Sequence, residues 1–150
     1  MLYKDLTGVR PEILQAVERM GFTEMTEVQE KTIPVMMAGH DVIAKAPTGT
    51  GKTCAFGIPI IERIDPSRPL PQAVILAPTR ELAQQIAEDL QDLTHFLPDV
   101  RTVCVYGGAD MQKQANRLKK GCQIVVATPG RLMDHMRHKS IDVSAVSSIV

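Results

Sequence analysis

An α/β fold, a parallel sheet with helices on both faces, is the architecture this sequence predicts. Three observations carry it. Helical and strand patterns alternate along nearly the whole chain. The strand runs are short and apolar and do not alternate in polarity, which suits strands buried on both faces. The loops with chemical character all follow strand C-termini, the edge where open α/β sheets bind ligands.

The first helix is expected over residues 11–21, with Pro11 at its start and Gly21 at its end. Ile13, Leu14, Val17 and Met20 form its apolar face. A second helix should begin near Thr26, where Thr26, Glu27, Val28 and Gln29 match a capping box. Pro34 should kink it and Gly39 end it. Residues 42–46 then read as a short buried strand, apolar and bounded by turn residues. Lys52 opens a further helical pattern, interrupted by Gly57 and Pro59. Residues 65–71 are proline-rich and predict a surface loop.

Residues 73–77 predict the second strand, followed by a helix in which Leu82, Ile86, Leu90, Leu93 and Leu97 recur at helical spacing. A third strand over 102–106 is closed by Gly107 and Gly108, and Asp110 caps a basic helix that ends at Gly121. Residues 124–127 make a fourth strand. Thr128 and Pro129 start a helix through about His138, and residues 147–150 begin a fifth strand.

The stretch from Asp41 to Thr53 carries the clearest chemistry. A strand runs into a loop with Pro47, Gly49 and Gly51, and Lys52 and Thr53 open a helix. That order is the phosphate-cradling P-loop pattern. Glycines let successive N–H groups turn inward, and the helix N-terminus adds partial positive charge. Lys52 is expected to reach the β- and γ-phosphates, and the Thr53 hydroxyl to ligate Mg²⁺. The strict pattern has glycine where this chain has Ala46. A glycine turn that binds nothing is the plain alternative.

Composition narrows the classes. The 150 residues suit one domain with a proper core. A formal net charge of zero puts any basic surface in local patches. Two Tyr, three Phe and no Trp argue against a domain that stacks many bases on aromatic platforms. Cys54, Cys104 and Cys122 are odd in number and lack metal spacing, so they read as core thiols in a reducing compartment. No membrane span or signal-peptide pattern is present, and a cytoplasmic location is expected.

Five short motifs stand in order: Gly21 and Phe22 with Thr26 and Gln29; residues 46–53; Pro78, Thr79, Arg80 and Glu81 with the Leu-Ala that follows; Gly107 with Gly108; and Thr128, Pro129, Gly130 and Arg131. Together they resemble the first, N-terminal RecA-like domain of DEAD-box RNA helicases, over nearly the whole chain. The resemblance implies an ATP-dependent enzyme, with ATP and Mg²⁺, that couples hydrolysis to local RNA duplex unwinding or ribonucleoprotein remodelling. It implies nucleotide contacts from Gln29, Thr26, Ala46, Pro47, Thr48, Gly49, Thr50, Gly51, Lys52 and Thr53, with Tyr3 or Phe22 covering the adenine. It implies RNA-backbone contacts, with little sequence specificity, from Pro78, Thr79, Arg80, Glu81, Gly107, Gly108, Thr128, Pro129, Gly130 and Arg131.

Two departures qualify it. Met25 stands where the family has proline, and the acidic tetrad that names the family is absent. The resemblance therefore implies a fold incomplete at the C-terminus and a second RecA-like domain outside this chain. It also implies a piece that does not hydrolyse ATP by itself, and a sheet edge open to dimerisation or strand swapping.

Plainer readings stand beside these. A side-chain amide fits an adenine edge with one donor and one acceptor, yet Gln29 also closes the capping box with Thr26. Phe22 and Tyr3 suit a core as well as a base. Arg80 and Arg131 could be solvated residues beside ordinary N-caps. Arg117, Lys119 and Lys120 read as favourable charge at a helix C-terminus. His135 and His138, with Asp134 beside them, lack a third ligand and read as solvated histidines rather than a metal site. The rival functions are a P-loop small-molecule kinase and a non-catalytic nucleotide- or RNA-binding paralogue.

Overall fold

A computed structural model describes residues 1–46 and 51–150. They divide into two compact units, one of Met1–Arg63 with Asp92–Leu97 and one of Ile64–Gln91 with Pro98–Val150.

The first unit opens with a 3₁₀ turn, Tyr3–Asp5, and contains α1 (Pro11–Arg19), α2 (Glu27–Met37) and α3 (Lys52–Arg63). Each begins where its local chemistry asks. Pro11 sits in the first turn of α1, where a missing N–H costs nothing. Thr26 caps α2 with a complete capping box: its hydroxyl accepts from the Gln29 N–H at 3.4 Å, and its own N–H donates to Gln29 Oε1 at 2.9 Å. α2 runs unbroken through Pro34, and α3 through Pro59. The two helices pack on each other, and Ile13, Ile33, Ile58 and Ile61 are fully buried. Glu62 ties α3 to the head of α1: its carboxylate accepts from the Arg10 N–H at 3.0 Å, and its carbonyl from Arg10 Nη2 at 3.1 Å.

The strand expected over residues 42–46 does not form. These residues carry no regular structure, and Ile43 is fully exposed. An apolar, β-branched run becomes a strand only when another strand takes up its N–H and C=O groups. Among the described residues none does so for this segment. It lines instead, with Thr26, Val28 and Lys31 of the start of α2, an open cleft of about 620 Å³.

The second unit is a parallel four-stranded sheet with helices between its strands. β1 (Ala73–Leu76), β2 (Thr102–Val105), β3 (Ile124–Ala127) and β4 (Ser148–Ile149) are ordered β2-β3-β1-β4. α4 (Arg80–Leu93) follows β1, α5 (Met111–Lys120) follows β2, and α6 (Pro129–Arg137) follows β3. β3, central and buried at every residue, is the apolar run its sequence implied. Val103, Val105, Leu118, Cys122, Val125 and Ala127 form one core cluster, against which Leu132 and Ile141 pack. Leu82, expected on the buried face of α4, is exposed, whereas Ile86, Leu90 and Leu93 are buried. Burial pushes the Cys104 and Cys122 thiols up to about 11, so neither is a ready nucleophile.

The proline-rich loop after α3 is held by two buried glutamines. Gln72 accepts from the Asp65 N–H at 2.8 Å and donates to the Asp65 and Arg68 carbonyls. Gln123 accepts from the Arg101 N–H at 2.8 Å and donates to the Arg68 carbonyl at 3.3 Å. Gly121 needs its hydrogen atom: at φ +104° a Cβ there would lie 2.9 Å from Pro69 Cβ.

Candidate functional site

In the first unit, Gln29 stands at the centre. It is 2% exposed and all its polar atoms are used. Oε1 accepts from the Thr26 N–H and the Tyr3 hydroxyl, and Nε2 donates 3.1 Å to the Gly51 carbonyl. That carbonyl also accepts from the Ala55 N–H, one turn into α3. One amide thus joins the 3₁₀ turn, the start of α2 and the start of α3. Gly51 sits at φ +81°, and a Cβ there would run into Gln29 Nε2. Only glycine satisfies both the left-handed backbone and the close approach.

Lys52 is exposed at the head of α3, Thr53 beside it is half-buried, and Ala46 is half-buried on the other flank. Pro47, Thr48, Gly49 and Thr50 lie outside the described residues. Tyr3 is 3% exposed, with its phenol pushed above the ordinary tyrosine range, first by burial and then by Cys54 nearby. Phe22 is exposed, and it borders with Tyr3 an open cleft of about 610 Å³ floored by Leu2, Pro11 and Leu14.

In the second unit, strand register gathers the other motifs. Leu76 of β1 pairs with Ala127 of β3, and Ala127 pairs with Val105 of β2. The strands are parallel, so Pro78 to Glu81, Gly107 with Gly108, and Thr128 to Arg131 all leave the same sheet edge. Pro78, Thr79, Arg80, Glu81, Gly107, Gly108, Pro129 and Gly130 are exposed there; Thr128 is half-buried. The Thr79 hydroxyl accepts from the Leu82 N–H at 3.2 Å and so caps α4. The Arg80 guanidinium lies over the Tyr106 ring, 4.7 Å from its centroid, a cation–π contact that holds it at the edge.

Arg131 points the other way. Its side chain is 13% exposed, and Nη1 donates to the Ala109 carbonyl at 2.9 Å and to Gln114 Oε1 at 3.2 Å. Nε is buried without a hydrogen-bond partner, 3.6 Å from Asp134 Oδ2. Behind it lies His135, wholly buried and therefore not the solvated residue expected. Its Nε2 meets Gln114 Oε1 at 3.1 Å and its Nδ1 meets the Ser140 hydroxyl at 2.7 Å. Burial, then the Arg131 charge, depress its basicity; Asp134 opposes them, and His138 adds to them. Neutral His135 satisfies both contacts, with Nε2–H donating to Gln114 and Nδ1 accepting from Ser140.

Gln114 escaped sequence reading, as did its bond to His135. The available signal was positional: Gln114 stands three residues after Met111 and four before Leu118, in the apolar row of an otherwise basic helix.

A family model for "DEAD/DEAH box helicase" matches residues 26–150. The ATP-dependent RNA helicase CshA of Listeria monocytogenes is 48% identical over 143 residues, covering 95% of this chain and 27% of the relative. The DEAD-box ATP-dependent RNA helicase CshA of Bacillus subtilis is 45% identical over 139 residues, 93% of this chain and 28% of the relative. The chain therefore spans less than a third of the length of these curated relatives. Among solved structures, a DEAD box protein from Methanococcus jannaschii matches 99% of this chain with 34% identity and a TM-score of 0.89, over 40% of its own length. A hypothetical ATP-dependent RNA helicase from Sulfolobus tokodaii matches 92% with 41% identity and a TM-score of 0.82, over 39% of its length.

Proposed function

This chain belongs to the DEAD/DEAH box helicase family, and on that premise we propose that it is the nucleotide-binding and RNA-contacting N-terminal domain of an ATP-dependent RNA helicase. The strand register is the observation that carries the reading, because it brings three phosphate-suited segments to one sheet edge. Exposed N–H groups, hydroxyls and the Arg80 guanidinium suit a sugar–phosphate backbone, and such contacts carry little sequence information.

ATP phosphates bind at the head of α3. Gly51, Lys52 and Thr53 supply backbone N–H groups, a point charge and a hydroxyl; the sequence motif they close begins at Ala46, and its residues 47–50 lie outside the described residues. The crowding of Gly51 against Gln29 supports this fit, since it keeps side-chain bulk out of the loop's last residue. Thr53 would hold Mg²⁺, which when bound neutralises charge on the β- and γ-oxygens. Gln29 reads the adenine edge by exchanging two partners: Nε2 gives up the Gly51 carbonyl, which keeps its bond from Ala55, and Oε1 gives up one of its two donors. Base recognition and the first turn of α3 thereby share one amide. Phe22 is the accessible aromatic for the base, while Tyr3 orients Gln29.

In the whole protein a second RecA-like domain completes the site, and ATP hydrolysis is coupled to local RNA unwinding or ribonucleoprotein remodelling. The setting is cytoplasmic and reducing, in keeping with three free cysteines. Among the described residues no helix is long and apolar enough to cross a membrane.

The test is to titrate the chain with a fluorescent ATP analogue and with a labelled oligouridylate. Lys52→Ala should abolish nucleotide binding and spare RNA; Arg80→Ala should weaken RNA binding and spare nucleotide. RNA binding that ignores Arg80, or nucleotide binding that ignores Lys52, would overturn the assignment.

A further inference from the structure

We propose that Gln114 and His135 are positioning residues for the RNA-backbone edge, locking the Gly107–Gly108 turn and Arg131 into one rigid bracket. This rests on the RNA reading above.

The bracket is built around two buried polar side chains, Gln114 and His135. Gln114 is 2% exposed and lies on α5, after the turn it supports. Its Nε2 donates 3.0 Å to the Tyr106 carbonyl, immediately before Gly107. Its Oε1 takes two donors, Arg131 Nη1 at 3.2 Å and His135 Nε2 at 3.1 Å. Arg131, which can only donate, fixes the orientation of the amide, since a flipped Gln114 would face the guanidinium with its own NH₂. Arg131 Nη1 then reaches the Ala109 carbonyl at 2.9 Å, immediately after Gly108. The two glycines are thus gripped on both sides, at the 106 carbonyl by Gln114 and at the 109 carbonyl by Arg131.

The grip matters because of what the turn is. Gly108 has φ +81°, and among the described residues only Arg80 Nη1, 3.7 Å away, comes close to where a Cβ would sit. Neither exposed glycine brings a side chain to hold itself in place, so its shape comes from the carbonyls on either side. His135 closes the back of the bracket: Gln114 Oε1, an acceptor, calls for the tautomer with the proton on Nε2, which leaves Nδ1 to the Ser140 hydroxyl. Removing one member leaves buried groups of the others without partners, so the bracket loses its geometry as a unit. Arg131 accordingly serves the site from behind, and Arg80 is the arginine presented to RNA.

The experiment compares the chain with Gln114→Met, and with Leu118→Ala as a control that destabilises the same helix without touching the bracket. Hydrogen–deuterium exchange is followed in the peptide covering residues 106–110, and oligouridylate affinity by fluorescence anisotropy, with Arg80→Ala in parallel. Gln114→Met should speed exchange in that peptide and weaken RNA binding about tenfold, the scale of one lost buried hydrogen bond. Leu118→Ala should lower the melting temperature without either change. Should Gln114→Met not fold, Gln114→Glu takes its place: it keeps accepting oxygens for Arg131 and His135, adds a negative charge beside them, and sets a carboxylate oxygen against the Tyr106 carbonyl where the N–H had been. Unchanged exchange in the 106–110 peptide would refute the bracket. Faster exchange with full RNA affinity would refute the positioning role. If the unmodified chain binds no RNA, or Arg80→Ala binds as well as it does, the RNA reading itself fails. The exchange result then still decides the bracket.

Discussion

Gly51→Ala should be costly, and most of the cost should depend on Gln29. Two terms add. Forcing a residue with a Cβ into the left-handed region costs about 1–2 kcal/mol, and Gly51 sits at φ +81°. The new methyl also displaces Gln29 Nε2, breaking its bond to the Gly51 carbonyl and leaving a buried amide without its acceptor, about 1–3 kcal/mol more. Their sum is about 2–5 kcal/mol, a large share of a domain's usual stability. Urea unfolding followed by far-UV circular dichroism measures it as a lowered midpoint at constant m. The decisive arm is a double-mutant cycle with Gln29→Ala. With that side chain gone, the methyl has room, and Gly51→Ala should cost only its backbone term of about 1–2 kcal/mol. A single-variant cost below about 1 kcal/mol, or additivity within about 0.5 kcal/mol, would refute the clasp between α2 and α3.

Tyr3→Phe should cost about 0.5–1.5 kcal/mol by the same urea assay, because Gln29 Oε1 keeps the Thr26 N–H and loses only the phenol donor. His135 sets a pH dependence of known sign. Its folded-state basicity is depressed, so the unfolded chain takes up the proton first as pH falls. Its contribution to stability is full above the ordinary histidine pKa of about 6.5 and declines below it, by at most about 1.4 kcal/mol per pH unit. Arg131 and His138 strengthen the depression and Asp134 opposes it. Urea midpoints at about pH 7.5 and about pH 5 should converge in His135→Gln relative to the parent; an unchanged difference would show that His135 titrates normally.

The sequence was readable wherever structure depends on neighbours a few residues away. The capping box at Thr26, the Asp110 side chain that accepts from the Lys113 N–H at 3.1 Å, and Pro11 in the first turn of α1 all lie where their local chemistry implies. The buried runs of β1 and β3 were equally plain, because a strand covered on both faces has no polar residues to spare. Residues 42–46, apolar but for Lys45, come close to that signature and form no strand. Apolar character states what a segment can bury, but a strand also needs a partner for its backbone, and that partner is remote in sequence.

The site divides along the same line, and the division says something about how it works. Gly51, Lys52 and Thr53 stand at the head of α3, where the sequence puts them, because that placement follows from adjacency in the chain. Arg131 was legible as an arginine beside a helix start, but not in its direction, because the carbonyl it holds belongs to Ala109, 22 residues earlier. The pairing of Gln114 with His135 spans 21 residues and leaves no local trace beyond a glutamine in an apolar row. Groups that would meet phosphate are exposed and short-range in origin, whereas the groups that hold them are buried and long-range. A change at Arg80 should therefore act on affinity alone. A change at Gln114 should act first on the shape of the turn, and only through that shape on RNA.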